Sequence, residues 1–378
     1  MPAEWERHDA TWLSWPHNPE TWPGRLDRAQ RAYAEMVRAV AEVETVHLNV
    51  GDAETERSAL RLLRRAGVRG DVRLHCIPTD DAWVRDHGPT FVRTRHGAAD
   101  SAERGDRVEA GCAAAGGPLW PGGGTSSDRL TIASLVAVDW VFNCWGEKYP
   151  PYDADAVAGA RMAEAAGVAR LAPPLVLEGG AIDVDGSGRV LLTESSVLNP
   201  NRNPGLSRGA IEAALRRLLG VDRFLWLPGG IAGDDTDGHI DDVARFVGAG
   251  RIVAAVESDP GDANHRTLQE NRAALQRYAA DEGLDVVALP MPPPIVVDGQ
   301  RLPASYANFY VCNERVIVPT FGVATDAEAL AILREQFPRR EVVGIEATDV
   351  VLGLGAWHCL TQQVPCATGA GRETDVCS

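Results

Sequence analysis

Amphipathic helices and short β-rich runs alternate along nearly the whole chain, yet hairpins interrupt the alternation. That combination restricts the fold more than any other feature. Apolar residues recur at helical spacing over 25–44, 53–68, 153–168, 207–220, 263–283 and 326–337. Ser207 and Gly220 are the start and stop signals of the fourth of these helices. Strand-like runs fall between the helices at 45–50, 71–78, 223–228, 251–258, 285–292 and 341–347. Strict βαβ alternation leads to a doubly wound parallel sheet. Here 175–195 reads as a hairpin turning at Asp185 and Gly186, and 305–321 as a second. The expected class is α/β with mixed sheets, in units of similar size but no clear sequence repeat.

The chain has 378 residues, 45% of them apolar, enough for a large core. One large domain or two modest ones fit that length. A Gly/Ala/Ser-rich stretch, 97–131, reads as a flexible inserted loop, and 366–378 as a disordered tail. Lys and Arg total 37 against 53 Asp and Glu, a formal charge of −16. Such a surface disfavours nucleic acid and acidic membranes and suits a small cation. The seven cysteines are odd in number and lack C-x-x-C spacing, which argues against a disulfide framework or zinc ribbon and for a reducing, cytoplasmic setting. No signal peptide pattern is present, and no apolar run reaches the roughly 20 residues of a membrane span. A homo-oligomer is the base expectation.

Three constellations carry chemistry. In "GDDTDGHIDDV", residues 233–243, Asp237, His239 and Asp241 are spaced two apart, which on a strand places them on one face. They read either as an acid/base centre or as an Asp-rich turn at a strand's start. In "DDAWVRDHGPTFV", 80–92, Trp83 suits an alkyl chain or a cation, and Asp86 suits a guanidinium held by two parallel hydrogen bonds. The bland alternative is an ion pair of Arg85 with Asp81 or Asp86. In "GLGAWHCLTQQVP", 353–365, glycines and polar residues surround Cys359, an odd setting for a core cysteine. Cys359 is a nucleophile candidate if a base and a positive field lie nearby. Glu178 before two glycines, Arg202 in a turn-dense loop and Asn308 at a strand start are weaker signals.

Taken in order, "MPAEWERHDATWLSWP", "AWVRDHGPTF", "FNCWGEKYPPY", "LEGG", "LNPNRNP", "DTDGHIDD", "SYANFY" and "HCLTQQ" make this chain resemble the agmatine deiminase family. That family lies within the guanidine-modifying group that includes the peptidyl-arginine deiminases. The resemblance spans nearly the whole chain and implies one catalytic domain, 1–378, folded as a five-bladed β/α propeller around a central site. It implies Cys359 as nucleophile, His239 as general acid/base, and Asp86 and Asp241 as the carboxylates gripping the guanidinium. It assigns Trp83, Asp235, Glu178 and Asn308 to substrate binding or support, and needs no cofactor or metal. The substrate implied is a small cationic guanidino compound, agmatine first, with other guanidino compounds or peptidyl-arginine as alternatives.

The family pattern G-G-G-N-I-H-C appears here as "GLGAWHC", with Leu354, Ala356 and Trp357 as departures. Ala181 and Asp183 depart in "EGGAID". Trp357 is expected to narrow the pocket or to stack on a substrate tail. One rival is a binuclear manganese ureohydrolase, since "DGHID" and "IDVD" imitate its metal motifs, although further ligands in register are missing. A guanidino-group transferase with an amine acceptor is a second rival, and a binding protein without catalysis a third.

Overall fold

The computed structural model describes residues 1–94 and 135–367. The 97–131 stretch, and the tail from 368 onward, lie outside the described residues. Each predicted helix forms within three residues of its expected ends: Leu26–Ala41, Ala53–Arg65, Asp155–Ala166, Arg208–Leu219, His265–Glu282 and Thr325–Gln336. Their apolar stripes face inward; Leu26–Ala41 buries Ala29, Tyr33, Met36, Val37 and Val40. Ser207 caps Arg208–Leu219 by accepting the Ala210 amide, and Gly220 ends it at a φ of 71°.

The strands form one pattern several times over. Thr90–Arg93, Leu135–Val138 and Ala169–Leu171 make a sheet whose first pair is antiparallel and second pair parallel. Asp183–Val184, Arg189–Thr193 and Arg223–Leu227 repeat it, as do Ala244–Gly248, Arg251–Val256 and Asp285–Pro290. Tyr310–Val311, Arg315–Thr320 and Glu341–Glu346 repeat it again. In three of these units a hairpin makes the antiparallel pair, and in all four a helix crosses over to make the parallel one, because parallel strands cannot be joined by a short turn. The fifth unit is assembled from the two ends of the described chain. Gln362–Pro365 lies antiparallel to His8–Ser14, which runs parallel to Thr45–Val50, itself parallel to Val72–Cys76.

Two predicted features differ. The 175–195 hairpin is shorter than its apolar pattern, because residues Gly179–Ala181 form a 3₁₀ turn before the strand begins at Asp183. The polar run Thr361, Gln362 and Gln363, odd for a core by residue type, is buried. It enters the sheet beside His8–Ser14, and Gln363 accepts a hydrogen bond from Arg85 at 2.7 Å. Among the described residues no helix is long and apolar enough to cross a membrane.

Candidate active site

Each candidate residue sits just before the first strand of a unit. Trp83 and Asp86 precede Thr90–Arg93, Glu178 and Gly180 precede Asp183–Val184, and His239 and Asp241 precede Ala244–Gly248. Asn308 precedes Tyr310–Val311, and His358 and Cys359 precede Gln362–Pro365. These turns pack on one another: the Arg85 amide donates to the Cys359 carbonyl at 3.2 Å, and the Gly180 amide to Asp86 Oδ1 at 3.0 Å.

Gly180 locates the focus. A Cβ there would lie 2.6 Å from His239 Nδ1, 2.9 Å from Asp86 Oδ1 and 3.1 Å from Asp241 Oδ2. Only glycine permits this approach of backbone to functional groups. Cys359 Sγ stands 3.6 Å from Asp241 Oδ2 and receives a hydrogen bond from Asn308 Nδ2 at 3.1 Å. The Asn308 carbonyl oxygen accepts the His358 amide, and its amide nitrogen also reaches Asp242 at 3.0 Å. Asn308 therefore holds the thiol and the turn that carries it. Trp83 supports the same turn from below. It packs on Trp22, with ring centroids 5.6 Å apart, and a Cβ on Gly355 would fall 2.6 Å from its ring.

The acidic stretch divides its labour. Asp237 does not share a face with His239 and Asp241, as strand spacing would require. Asp237 and Gly238 have φ of 67° and 105°, so the chain reverses there and continues into a 3₁₀ turn, Ile240–Asp242. Asp237 points outward to Lys148 and Arg202, at 2.9 and 2.6 Å. Asp234 accepts the His239 amide at 3.1 Å and the Thr236 amide at 2.8 Å, pinning the reversal. Asp235 lies further out and accepts the Tyr149 hydroxyl. Of the five aspartates, Asp241 alone reaches the thiol.

His239 is fully buried, and neither ring nitrogen has a hydrogen-bond partner. Asp86 Oδ1 stands 3.7 Å from Nδ1 and Glu178 Oε2 3.8 Å from Nε2. Burial opposes a charge on this ring, but Asp86, Glu178 and Asp241 outweigh it and raise its pKa to about 10. The thiol moves the same way for different reasons. Burial first, then Asp241, Asp242 and Asp86, push the Cys359 thiol well above its ordinary value, against the Asn308 hydrogen bond. At neutral pH the site thus holds a protonated thiol beside a charged imidazole and its carboxylates.

Residues beyond the sequence candidates complete the arrangement. Trp145 Nε1 donates to Asp86 Oδ2 at 2.9 Å, from a backbone held at a φ of 55°. Only its place in the "FNCWGEKYPPY" motif signalled it. Arg202 binds Glu178 at 2.6 Å and the carbonyls of Trp145 and Thr236 at 2.9 Å. Arg85 is tied to Glu4 and Gln363 rather than to Asp81 or Asp86. Trp357 turns away from the site. It is fully buried in the core and donates to the Ile345 carbonyl, so it does not narrow the pocket. Asp183, in the "EGGAID" departure, pairs with Arg245 at 3.3 Å. Among the described residues no group of three or more His, Cys, Asp and Glu side chains is arranged to hold a metal ion.

Arg202→Met tests how much the support around Glu178 matters. Removing the guanidinium breaks its buried pair with Glu178, while Asp237 keeps Lys148, and is expected to cost about 3–5 kcal/mol. The midpoint of urea unfolding reads that loss. An unchanged midpoint would show that the pair is replaceable.

Repeated mixed α/β units converging on a buried polar centre define the pentein class, here hydrolases of carbon–nitrogen bonds. A sequence model of the Porphyromonas-type peptidyl-arginine deiminases matches residues 1–365, and the chain belongs to that family. It is 36% identical over 395 aligned positions to the agmatine deiminase of Ectopseudomonas mendocina, covering 98% of this chain and 96% of that one. The agmatine deiminase of Stutzerimonas stutzeri is also 36% identical, over 392 positions and 97% and 95% of the two chains. Among solved structures, the agmatine deiminase of Enterococcus faecalis superposes with a TM-score of 0.81 at 30% identity, covering 97% of this chain and 96% of that one. A Cys→Ser variant of the C. jejuni agmatine deiminase with substrate bound gives 0.79 at 26% identity, with 96% and 95% covered.

Proposed function

We propose that this chain is an agmatine deiminase. It hydrolyses the guanidinium of agmatine to N-carbamoylputrescine and ammonia through a covalent intermediate on Cys359. One observation carries the reading: a buried imidazole and two carboxylates meet around Gly180, with the Cys359 thiol 3.6 Å from one of the carboxylates. In the proposed reaction Asp86 and Asp241 fix the guanidinium and balance its charge. The bound cation lowers the thiol pKa, and the thiolate adds to the guanidinium carbon. The His239 imidazolium gives its proton to the departing nitrogen as the C–N bond breaks, releasing ammonia and leaving a thiouronium. The now neutral His239 takes a proton from water, hydroxide adds to the same carbon, and the C–S bond breaks to regenerate the thiolate, the product's O–H proton passing through solvent to the released ammonia. Trp83 forms the wall beside Cys359, and Asp235, further out, faces the substrate's distal amine. Glu178 and Asn308 hold His239 and Cys359 in place.

We also read the five units as five blades around a central axis, forming one catalytic domain. The equivalent position of the five site turns, each before the first strand of its unit, supports this. The inferred setting is the cytoplasm, whose reducing poise keeps Cys359 a thiol.

The test is product analysis across agmatine, free arginine, an arginyl peptide and methylated guanidines after exhaustive chelation. The expected result is ammonia without urea, with agmatine preferred over free arginine by about 100-fold or more, since the acidic site repels a second carboxylate. Urea release or a strict manganese requirement overturns the reading. Preference for the peptide would relocate the substrate but keep the chemistry. The pH dependence has a defined sign. kcat/KM rises as the thiol ionises and falls as His239 loses its proton near pH 10. The rising limb of kcat lies at lower pH than that of kcat/KM, because the bound cation favours the thiolate.

A further inference from the structure

We propose that Glu4, in the N-terminal segment, is a positioning residue of this reaction, acting on Asp241 through His358. The inference rests on the reading that Asp241 holds the guanidinium and Cys359 attacks it. His358 is bound at both ring nitrogens: Nδ1 lies 2.7 Å from Asp241 Oδ2 and Nε2 lies 2.8 Å from Glu4 Oε2. An ionised carboxylate only accepts, so the ring donates from both nitrogens and is an imidazolium.

Glu4 is in turn immobilised. Arg245 reaches its Oε1 at 3.0 Å and the Val311 amide the same oxygen at 2.8 Å, while Arg85 approaches Oε2 at 3.4 Å. The His358 amide is held by Asn308 Oδ1 at 3.0 Å, so the ring cannot leave with its backbone. The charged groups facing His358 are Asp241, Glu4, Asp183, Arg245 and Arg85, drawn from the N-terminal segment and three of the units.

Two consequences follow. Asp241 Oδ2 is occupied by His358, while its Oδ1 is buried with no hydrogen-bond partner. Oδ2 is also the oxygen beside Cys359 Sγ and the Gly180 focus, so the relay fixes the orientation of the carboxylate that faces the reacting groups. It also places a positive charge on the residue preceding Cys359, where it favours the thiolate during attack. Glu4 contacts neither the thiol nor the Gly180 focus, and acts only by holding the His358 ring in this orientation.

Glu4→Gln keeps the shape and removes the charge. With one anion left beside it, the His358 ring loses its second anchor, and with it the fixed orientation of its contact to Asp241. The expected result, normalised to thiol titrated at Cys359, is a fall in kcat/KM of about 100-fold. The rising limb of kcat/KM, set by the thiol, should move to higher pH, because Asp241, less firmly held by His358, raises the thiol further. A merely structural role would lower melting temperature and titratable thiol but leave that limb in place. If Glu4→Gln does not fold, His358→Gln tests the relay from its other end. It retains a donor toward Asp241 without the charge, and the same shift of the limb is expected. A folded variant of either kind with the parent's limb and normalised kcat/KM overturns the relay. Cys359→Ala run in parallel separates the two ideas. Turnover by that variant would defeat the proposed chemistry, whereas its inactivity beside an unshifted Glu4→Gln profile would defeat the relay alone.

Discussion

Cys359→Ser is expected to lose at least about 10⁴-fold in turnover while still binding agmatine. A serine hydroxyl is far harder to ionise than a thiol, and the acidic site that raises the thiol raises it further. The neighbouring imidazole cannot serve as a strong base first, because Asp86, Glu178 and Asp241 keep it charged to about pH 10. Binding should survive, since the carboxylates thought to hold the guanidinium are unchanged and Asn308 can still donate to the smaller atom. Calorimetric titration measures the binding, and acid-quenched mass spectrometry looks for a covalent adduct in the parent and its absence in the variant. Retention of even 1% of parental turnover would mean that the sulfur is not the attacking atom.

Asp86→Asn should move two observables in opposite directions. Asp86 accepts the Gly180 amide and the Trp145 indole, and faces His239 at 3.7 Å. Removing one charged partner of a desolvated pair costs about 2–5 kcal/mol, so kcat/KM for agmatine should fall by about 10²–10³-fold. The same charge helps to hold the Cys359 thiol in its protonated form. Its loss lowers the thiol pKa, and alkylation of Cys359 by iodoacetamide at a fixed pH near 8 should become faster. It also lowers the His239 pKa from about 10, which brings the alkaline limb down. A variant that alkylates more slowly as well as turning over more slowly would refute the electrostatic account and point to a collapsed site.

Much of this was legible before any coordinates. The helices were, because apolar spacing reports a buried face whatever that face packs against. Ser207 and Gly220 set their ends by local hydrogen bonding and backbone freedom alone. Cys359, His239, Asp86 and Asp241 could be named from motifs in order. Their convergence could not, because the turns that carry them are separated by whole units and share no sequence.

Other features stayed hidden for identifiable reasons. His8–Ser14 is buried at nearly every position, so it shows no alternation to mark a strand. Asp237 departs from its neighbours because two left-handed residues reverse the chain, and the compensating cations, Lys148 and Arg202, come from distant loops. Trp357 looked pocket-facing by its place beside the cysteine, yet the Ile345 carbonyl and the core draw it the other way. Glu4 carried no local signal at all. Its meaning lies in Arg245, Arg85 and His358, none of which is near it in the chain.

Local periodicity and turn chemistry were sufficient to specify the helices and the hairpins, since these depend on near neighbours, while the candidate site residues were named by the resemblance of ordered motifs to a family. Which oxygen of Asp241 is free, which way Trp357 points and how the thiol and imidazole are charged depend on long-range packing. Burial removes the water that would otherwise screen those groups, so their behaviour is set by partners that folding brings from five separate units.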